Sequence, residues 1–455
     1  MTSAARPPIL EISRRDAGGA GGPAHVLWTA ERLRRWGTRS MLSLMDQGLI
    51  SVAGFGLNVF LARWLRAEAY GAFAVAFAGF LFVSGFHNVL LLEPLTVLGP
   101  AQHSRRLPEY FREQAAIHAL LVGSLSVLTL TVGIAIWRVN SQNWLAGAIA
   151  GSALALPFLL WLWLVRRMCY VLQRPSTAVL GSSVYAGYVF CGLFVLHALH
   201  RINPLSAFLV MGSGSFLAAW ALWRVLGLGG GATKNEKHPL KRTWLENWTY
   251  GRWLVASTAL SSAANQTQMF VVAGALGLGA AGVLRAMQVP ALMLMQVLAA
   301  TGLLILPAFS YDFGNQMEVR MWQKAKLVSW VLLIAMISLS LLLLPLSGPA
   351  ESLLYGGKYA RYGWLMPLLA LVPAAIGASL GHAMALRASQ QPRFDLVANA
   401  IAAPAGVISA FLLTRWWGLA GAAASLTLSY TTYSLVTCRI FSAKRISFLS
   451  QKQAA

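Results

Sequence analysis

Residues 71–99 read "GAFAVAFAGFLFVSGFHNVLLLEPLTVLG", and Glu93 is the one formally charged residue among them. A helix needs about 20 apolar residues to cross a bilayer's hydrocarbon core, so this stretch is long enough to span. Similar runs fall at 40–64, 114–137, 143–165, 175–199, 204–227, 253–276, 280–308, 325–348, 363–386, 394–414 and 417–440. Lipid offers the backbone no hydrogen-bond partners, and at this hydrophobicity only helices satisfy it internally. A spanning barrel would show weaker alternation over about ten residues per strand. The expected fold class is an all-α polytopic membrane protein with twelve transmembrane helices.

Composition agrees. Of 455 residues, 57% are hydrophobic and 11% charged, with mean hydropathy +0.61, whereas soluble domains carry about 25% charged residues. Seventeen Trp and twelve Tyr suit a chain with two membrane interfaces to anchor. The net charge of +22 comes from Lys and Arg spread through short loops, not from a basic patch on a soluble domain. That argues against a nucleic-acid partner and makes the lipid bilayer the principal one. Cys169, Cys191 and Cys438 are scattered without CxxC or metal spacing, and they read as small buried hydrophobes. No apolar segment closely follows Arg14 and Arg15, so insertion is expected to rely on a retained helix rather than a cleaved signal.

The basic residues set the expected orientation. The N-terminal tail, the C-terminus and the loops after spans two, four, six, eight and ten hold 28 of the 36 Lys and Arg. The opposite side holds Arg63, Arg66, Arg138, Arg201, Arg285, Lys358, Arg361 and Arg415. The positive-inside rule puts both termini in the cytoplasm. The longest internal loop, "GGGATKNEKHPLKRTWLENWTYGRW" (229–253), follows span six and lacks a phosphate-loop ending. The expected organisation is a cytoplasmic tail (1–39) with an amphipathic segment, "HVLWTAERLRRWG" (25–37). A six-helix bundle (40–228), a linker (229–252), a second bundle (253–441) and a short tail (442–455) follow. Within the linker, Leu240–Trp248 reads as an amphipathic helix on the inner leaflet. Six spans per half gives both halves one orientation, related by an axis along the membrane normal.

At two places the sequence resembles a known family. The turn "LARWLRAEAYGAF" (61–73) is similar to the N-terminal signature of polysaccharide and oligosaccharide flippases, Leu-Ala-Arg followed at a distance by Tyr-Gly. "RWWGLAGAAASLTLSYTTY" (415–433) resembles that family's Gly-x-x-Gly-Ala-Ala entry to the last helix. The resemblance is to the Wzx-like branch of the multidrug/oligosaccharidyl-lipid/polysaccharide (MOP) exporter superfamily. It implies two bundles that expose a central cavity alternately to the two membrane faces. It also implies a cargo of lipid-linked oligosaccharide on undecaprenyl diphosphate, moved across the bacterial inner membrane. Glycan polymerase and glycosyltransferases are its implied partners.

Polar groups inside spans are costly and therefore informative. In span one, Gln47, Ser51 and Asn58 share a face with Gly54 at 100° per residue. Asn265 and Gln268 share one with Ser261 in span seven, and Arg285, Gln288 and Gln296 form a stripe in span eight. With His87 and Asn88 of span two, these are the expected cavity residues. Each side chain also has a blander reading, as a hydrogen bond gluing helices together. Arg285 either receives an anionic headgroup through its guanidinium fork or snorkels to the interface.

Asp46 and Glu93 are the candidate ion-coupling or gating acids. Asp46 has an alternative as the partner of a basic residue such as Arg39. Glu93, about 9 Å along the helix from His87, has alternatives as a packing group or as the partner of an arginine such as Arg166. No HExxH, GxSxG or nucleotide loop is present, and the expected function is non-enzymatic, with no cofactor and no metal. Besides flipping a lipid-linked glycan, the readings in view are a proton- or sodium-coupled drug or cation antiporter and a non-transporting scaffold for glycan synthesis.

Overall fold

The computed structural model of the protein describes residues 30–140, 143–228, 240–389 and 393–454, and no strand occurs among them. The first half comprises α1 (Ala30–Trp64), α2 (Ala67–Gln102), α3 (Leu107–Val139), α4 (Trp144–Val171), α5 (Pro175–Ala198) and α6 (Pro204–Val225). The second comprises α7 (Leu240–Leu276), α8 (Leu278–Gly314), α9 (Glu318–Tyr355), α10 (Leu365–Ala388) and α11 (Arg393–Ala454). Among the described residues, ten helices are long and apolar enough to cross a membrane, so this is a multi-pass membrane protein.

Two departures from the sequence reading have local causes. The runs at 394–414 and 417–440 lie within α11, whose helical path is interrupted only at Gly418 (φ 57°, ψ −133°). That backbone excludes most L-residues. At Gly421, a β-carbon would overlap the Leu413 carbonyl, so the chain turns there on two glycines. The expected surface helix Leu240–Trp248 is continuous with the run at 253–276, both being parts of α7. Its Thr243, Asn247 and Gly251 are buried because the first half offers them partners, described below. Residues 25–29 of the tail segment and 229–239 of the linker lie outside the described residues.

Packing partners recur half a chain apart. In the first half α1 packs on α5, α2 and α3 on α4, and α4 on α6; in the second, α7 packs on α11, α8 and α9 on α10, and α10 on α11. The peripheral α3 and α9 keep Leu120, Val127, Leu128, Leu327, Trp330, Ile334 and Leu341 exposed, as lipid-facing surfaces must. One proline inside a helix has its lost hydrogen bond replaced. Pro157 lacks the N–H that would bond the Ala153 carbonyl, and the Ser126 hydroxyl donates to that carbonyl at 2.5 Å.

The halves meet along α2, which packs on α8 and α7, and the two ends of that seam are built differently. At the hairpin end, where α1 turns into α2 and α7 into α8, the backbones touch. A β-carbon on Gly71 would overlap the Leu278 carbonyl, and one on Gly282 the Ala67 carbonyl. The last carbonyls of α1 have no partner within their own helix, and a side chain from the other half supplies one. Lys358 Nζ donates to Ala62 O at 2.8 Å and also to Leu65 O, while Tyr359 OH donates to Ala62 O at 3.1 Å.

The latch end is made of side chains. Gln114 and Asn247 exchange both amide hydrogen bonds, at 3.0 and 2.9 Å, and both are fully buried. Thr243 donates to Glu113 at 2.6 Å, and Arg106 pairs with the other oxygen of Glu113 at 2.8 Å. His103 meets Glu246 at 3.0 Å. Beside this latch, Gly251 of α7 packs against the Val89 carbonyl of α2.

Candidate functional site: a cavity between the halves

A cavity of about 200 Å³ lies between the halves. From the first half, α2 contributes Ala74, Phe77, Ala78 and Leu81, all apolar. The polar lining comes from the second half: Asn265, Gln266, Gln268, Arg285, Gln288 and Tyr430. Among the described residues, Arg285 is the one charged residue lining it, and no carboxylate does. Drug-sized ligands occupy pockets of about 300–1,000 Å³, so the cavity is smaller than such a site.

Arg285 is held in place. Its Nε donates to Asn58 Oδ1 at 3.2 Å, and Tyr70 OH donates to the same oxygen at 3.1 Å. Asn58 Nδ2 donates to Gly54 O at 2.8 Å, so all three contacts agree on the amide's orientation. The guanidinium carbon lies 5.5 Å from the centre of the Phe77 ring, within cation–π range. The charge is thereby positioned without a counter-carboxylate.

Gln268 presents the complementary chemistry. Its Nε2 donates to Ser425 Oγ at 3.0 Å, while that hydroxyl donates to Ala422 O at 2.9 Å. Gln268 Oε1 is buried with no partner, an acceptor that favours a donor supplied from outside the fold. Asn265 Oδ1 accepts from Tyr430 OH at 2.7 Å.

Of the residues expected in a cavity, Asn265, Gln268, Arg285 and Gln288 are brought together, with Asn58 behind Arg285. Gln47 and Gln296 are exposed outside it, and Ser51 bonds its own helix through Gln47 O at 2.8 Å. His87 lies within the first half against His118, 3.0 Å away. Asn88 donates to Glu93 at 3.1 Å across a π-helical turn, Asn88–Leu92. On an ideal α-helix these two residues point about 140° apart; the wider π turn aligns i with i+5. Glu93 lies in the field of Arg167 on α4 and Arg387 on α10.

Asp46 is fully engaged. It pairs with Arg166 at 2.6 Å, accepts from Tyr170 OH at 2.5 Å, and accepts from Ser182 Oγ. Arg166 thus partners Asp46, while Arg167 acts on Glu93; the side chain of Arg39 lies outside the described residues. Sequence reasoning missed Tyr70, Phe77, His118, Gln266 and Tyr430. Tyr70 and Tyr430 do sit inside the two signature-like stretches (61–73 and 415–433).

An all-helical, multi-pass chain with a cavity between its halves has the fold of the MOP-superfamily transporters. The lipid II flippase MurJ, in an inward closed conformation, aligns with TM-score 0.71 at 14% identity, over 90% of this chain and 87% of its own. An inward-facing multidrug resistance MATE transporter aligns with TM-score 0.72 at 10% identity, over 90% and 99%. A MOP transporter from Pyrococcus furiosus, distinguished by the reverse polarity of its binding pocket, aligns at 0.64 with 10% identity, over 91% and 96%. At these identities the likeness is one of fold. No protein-family model matches the sequence, and no curated protein does.

Proposed function

We propose that the chain is an alternating-access flippase for a lipid-linked oligosaccharide on an undecaprenyl-diphosphate carrier. It would serve polysaccharide synthesis (capsule, exopolysaccharide or O-antigen) from the bacterial inner membrane. The observation that carries this reading is the sign of the cavity: among the described residues, Arg285, anchored by Asn58, is its only charged lining residue. A guanidinium offers a bidentate fork to phosphate. A carrier of cationic drugs would need a carboxylate in the same place.

In this reading the chain forms twelve spans in two six-helix bundles with both termini in the cytoplasm. The recurring packing partners, the break at Gly418 and the basic-residue bias support that arrangement. Asn265, Gln268 and Gln288 would contact the headgroup, and the polyprenyl tail would stay in lipid. Gln47, Ser51 and Gln296 would join the path when the halves separate. Asn88 and Glu93, at the π turn beside the latch, would act in gating; Asp46 would hold α1 against α4 and α5. The likeness in fold to a lipid II flippase is consistent with a lipid-linked cargo.

The test is accumulation of lipid-linked glycan on the inner leaflet of cells carrying Arg285→Met, beside Arg285→Lys. Accumulation with Met and partial relief with Lys is expected. Normal export with Met would remove the cavity's charge from the mechanism and overturn the reading.

A further inference from the structure

Outside the cavity, the first half buries a pair of titratable rings. His87 on α2 and His118 on α3 are 5% and 4% exposed, and their rings meet edge to face. The hydrogen bonds decide their tautomers. His118 Nε2 lies 3.1 Å from the Pro157 carbonyl on α4, which can only accept, so that nitrogen carries the proton. In the neutral ring His118 Nδ1 is then an acceptor, and His87 Nε2, 3.0 Å away, must be the donor. That leaves the lone pair on His87 Nδ1, which is buried with no partner. A chain of two donated hydrogen bonds therefore ends on an unoccupied base.

We propose that the His87–His118 dyad is a proton-binding site that takes up one proton at His87 Nδ1. Its surroundings link that uptake to conformation. Among the described residues, the hydrogen-bond partners of the dyad are each other and the Pro157 carbonyl. A cation formed on the packed dyad would be buried against a neutral ring and a backbone carbonyl, which is costly at this depth. A rearrangement inside the first half that parts α2 from α3 and α4 would bring water to Nδ1 and tolerate the charge. Protons bind that parted arrangement better than the packed one, so they favour it by linkage. His87 directly precedes the π turn Asn88–Leu92, so a shift of its ring is transmitted to the segment that meets Glu93 and Gly251. Asp46 does not serve this purpose, because three protein groups already occupy its carboxylate.

The proposal adds a proton to the flippase reading, yet its first test needs no cargo. Deuterium exchange at the imidazole C2 position, read by mass spectrometry on the full chain in lipid nanodiscs, reports each histidine's titration separately. The dyad should take up one proton between pH 8 and 4, and His118→Gln should move the His87 midpoint while leaving His197 and His200 unchanged. A His87 that stays neutral throughout, in protein still folded by circular dichroism, overturns the proposal. So does a midpoint indifferent to His118.

The second test uses His87→Gln, whose amide can still donate to His118 but cannot take the extra proton. In proteoliposomes supplied with a fluorescent undecaprenyl-diphosphate-linked sugar, it should flip without dependence on a pH gradient. Retained dependence overturns the proposal. A dyad that titrates in a wild-type protein that flips nothing would instead sink the flippase reading alone.

Discussion

The two ends of the seam between the halves close by opposite means. At the hairpin end, Gly71 and Gly282 let α2 and α8 touch backbone to backbone, and Lys358 caps α1 from the far half. At the latch end, Gln114, Asn247, Glu113, Thr243, His103 and Glu246 hold the halves through side-chain hydrogen bonds. A steric seal depends on shape and has no substitute if a methyl group intervenes. A side-chain latch exchanges its hydrogen bonds with water at little net free energy, about 0.5–1.5 kcal/mol each. The latch is therefore the end built to open readily. In the proposed orientation it faces the cytoplasm, where a newly made lipid-linked glycan would enter.

Substitutions can break this contrast, the largest effect first. Gly71→Leu should prevent closure of the hairpin end, since the neighbouring atoms are backbone that cannot step aside. Spin labels at positions 66 and 276 should report a longer separation, with a stability loss of about 1–3 kcal/mol from overpacking. An unchanged separation would mean the seal does not depend on that approach.

At the latch, Asn247→Ala strands the buried Gln114 amide and should destabilise the closed form by about 1–3 kcal/mol. Replacing both residues with Leu should cost less than the single change. A double-mutant cycle with no coupling would remove the amide pair from the latch. Lys358→Met should uncap α1, at a cost of up to about 2 kcal/mol. It should loosen the hairpin end without affecting the latch.

The smallest expected effect is that of pH on His103, which lies outside the spans. Burial first, and then Arg106, push its imidazole below the usual 6.5, against the pull of Glu246. The opened latch thus binds this proton better than the closed one. Stability of the closed form is intact above pH 6.5 and declines as pH falls below it. His103→Gln should remove that decline, as read by the melting temperature between pH 7.5 and 5.

Part of this was legible in the residues. Apolar runs and costly polar groups follow from what lipid penalises, so Asn265, Gln268, Arg285 and Gln288 could be picked as neighbours by spacing, whereas Gln47, Ser51 and Gln296, picked the same way, lie outside the cavity. The latch was not legible, because Glu113, Gln114, Thr243 and Asn247 lie more than a hundred residues apart in sequence. Read singly, the α7 stripe looked like a membrane-surface helix; its partners exist only in the fold. His87 illustrates the same limit. Its polarity marked it as unusual, but helical geometry could not say that it turns towards His118 rather than the cavity. Nor does ideal α geometry anticipate the π turn that joins Asn88 to Glu93.

The central claim is an anion-accepting cavity, and flipping in proteoliposomes tests it most directly. Purified protein should translocate a fluorescent undecaprenyl-diphosphate-linked sugar, and Arg285→Met should slow it at least about tenfold. That is the loss of one charge-assisted hydrogen bond of about 1.5–3 kcal/mol. Arg285→Lys should fall between. Wild-type rates in Arg285→Met, or transport of a cationic dye in place of the anionic lipid, would contradict the account.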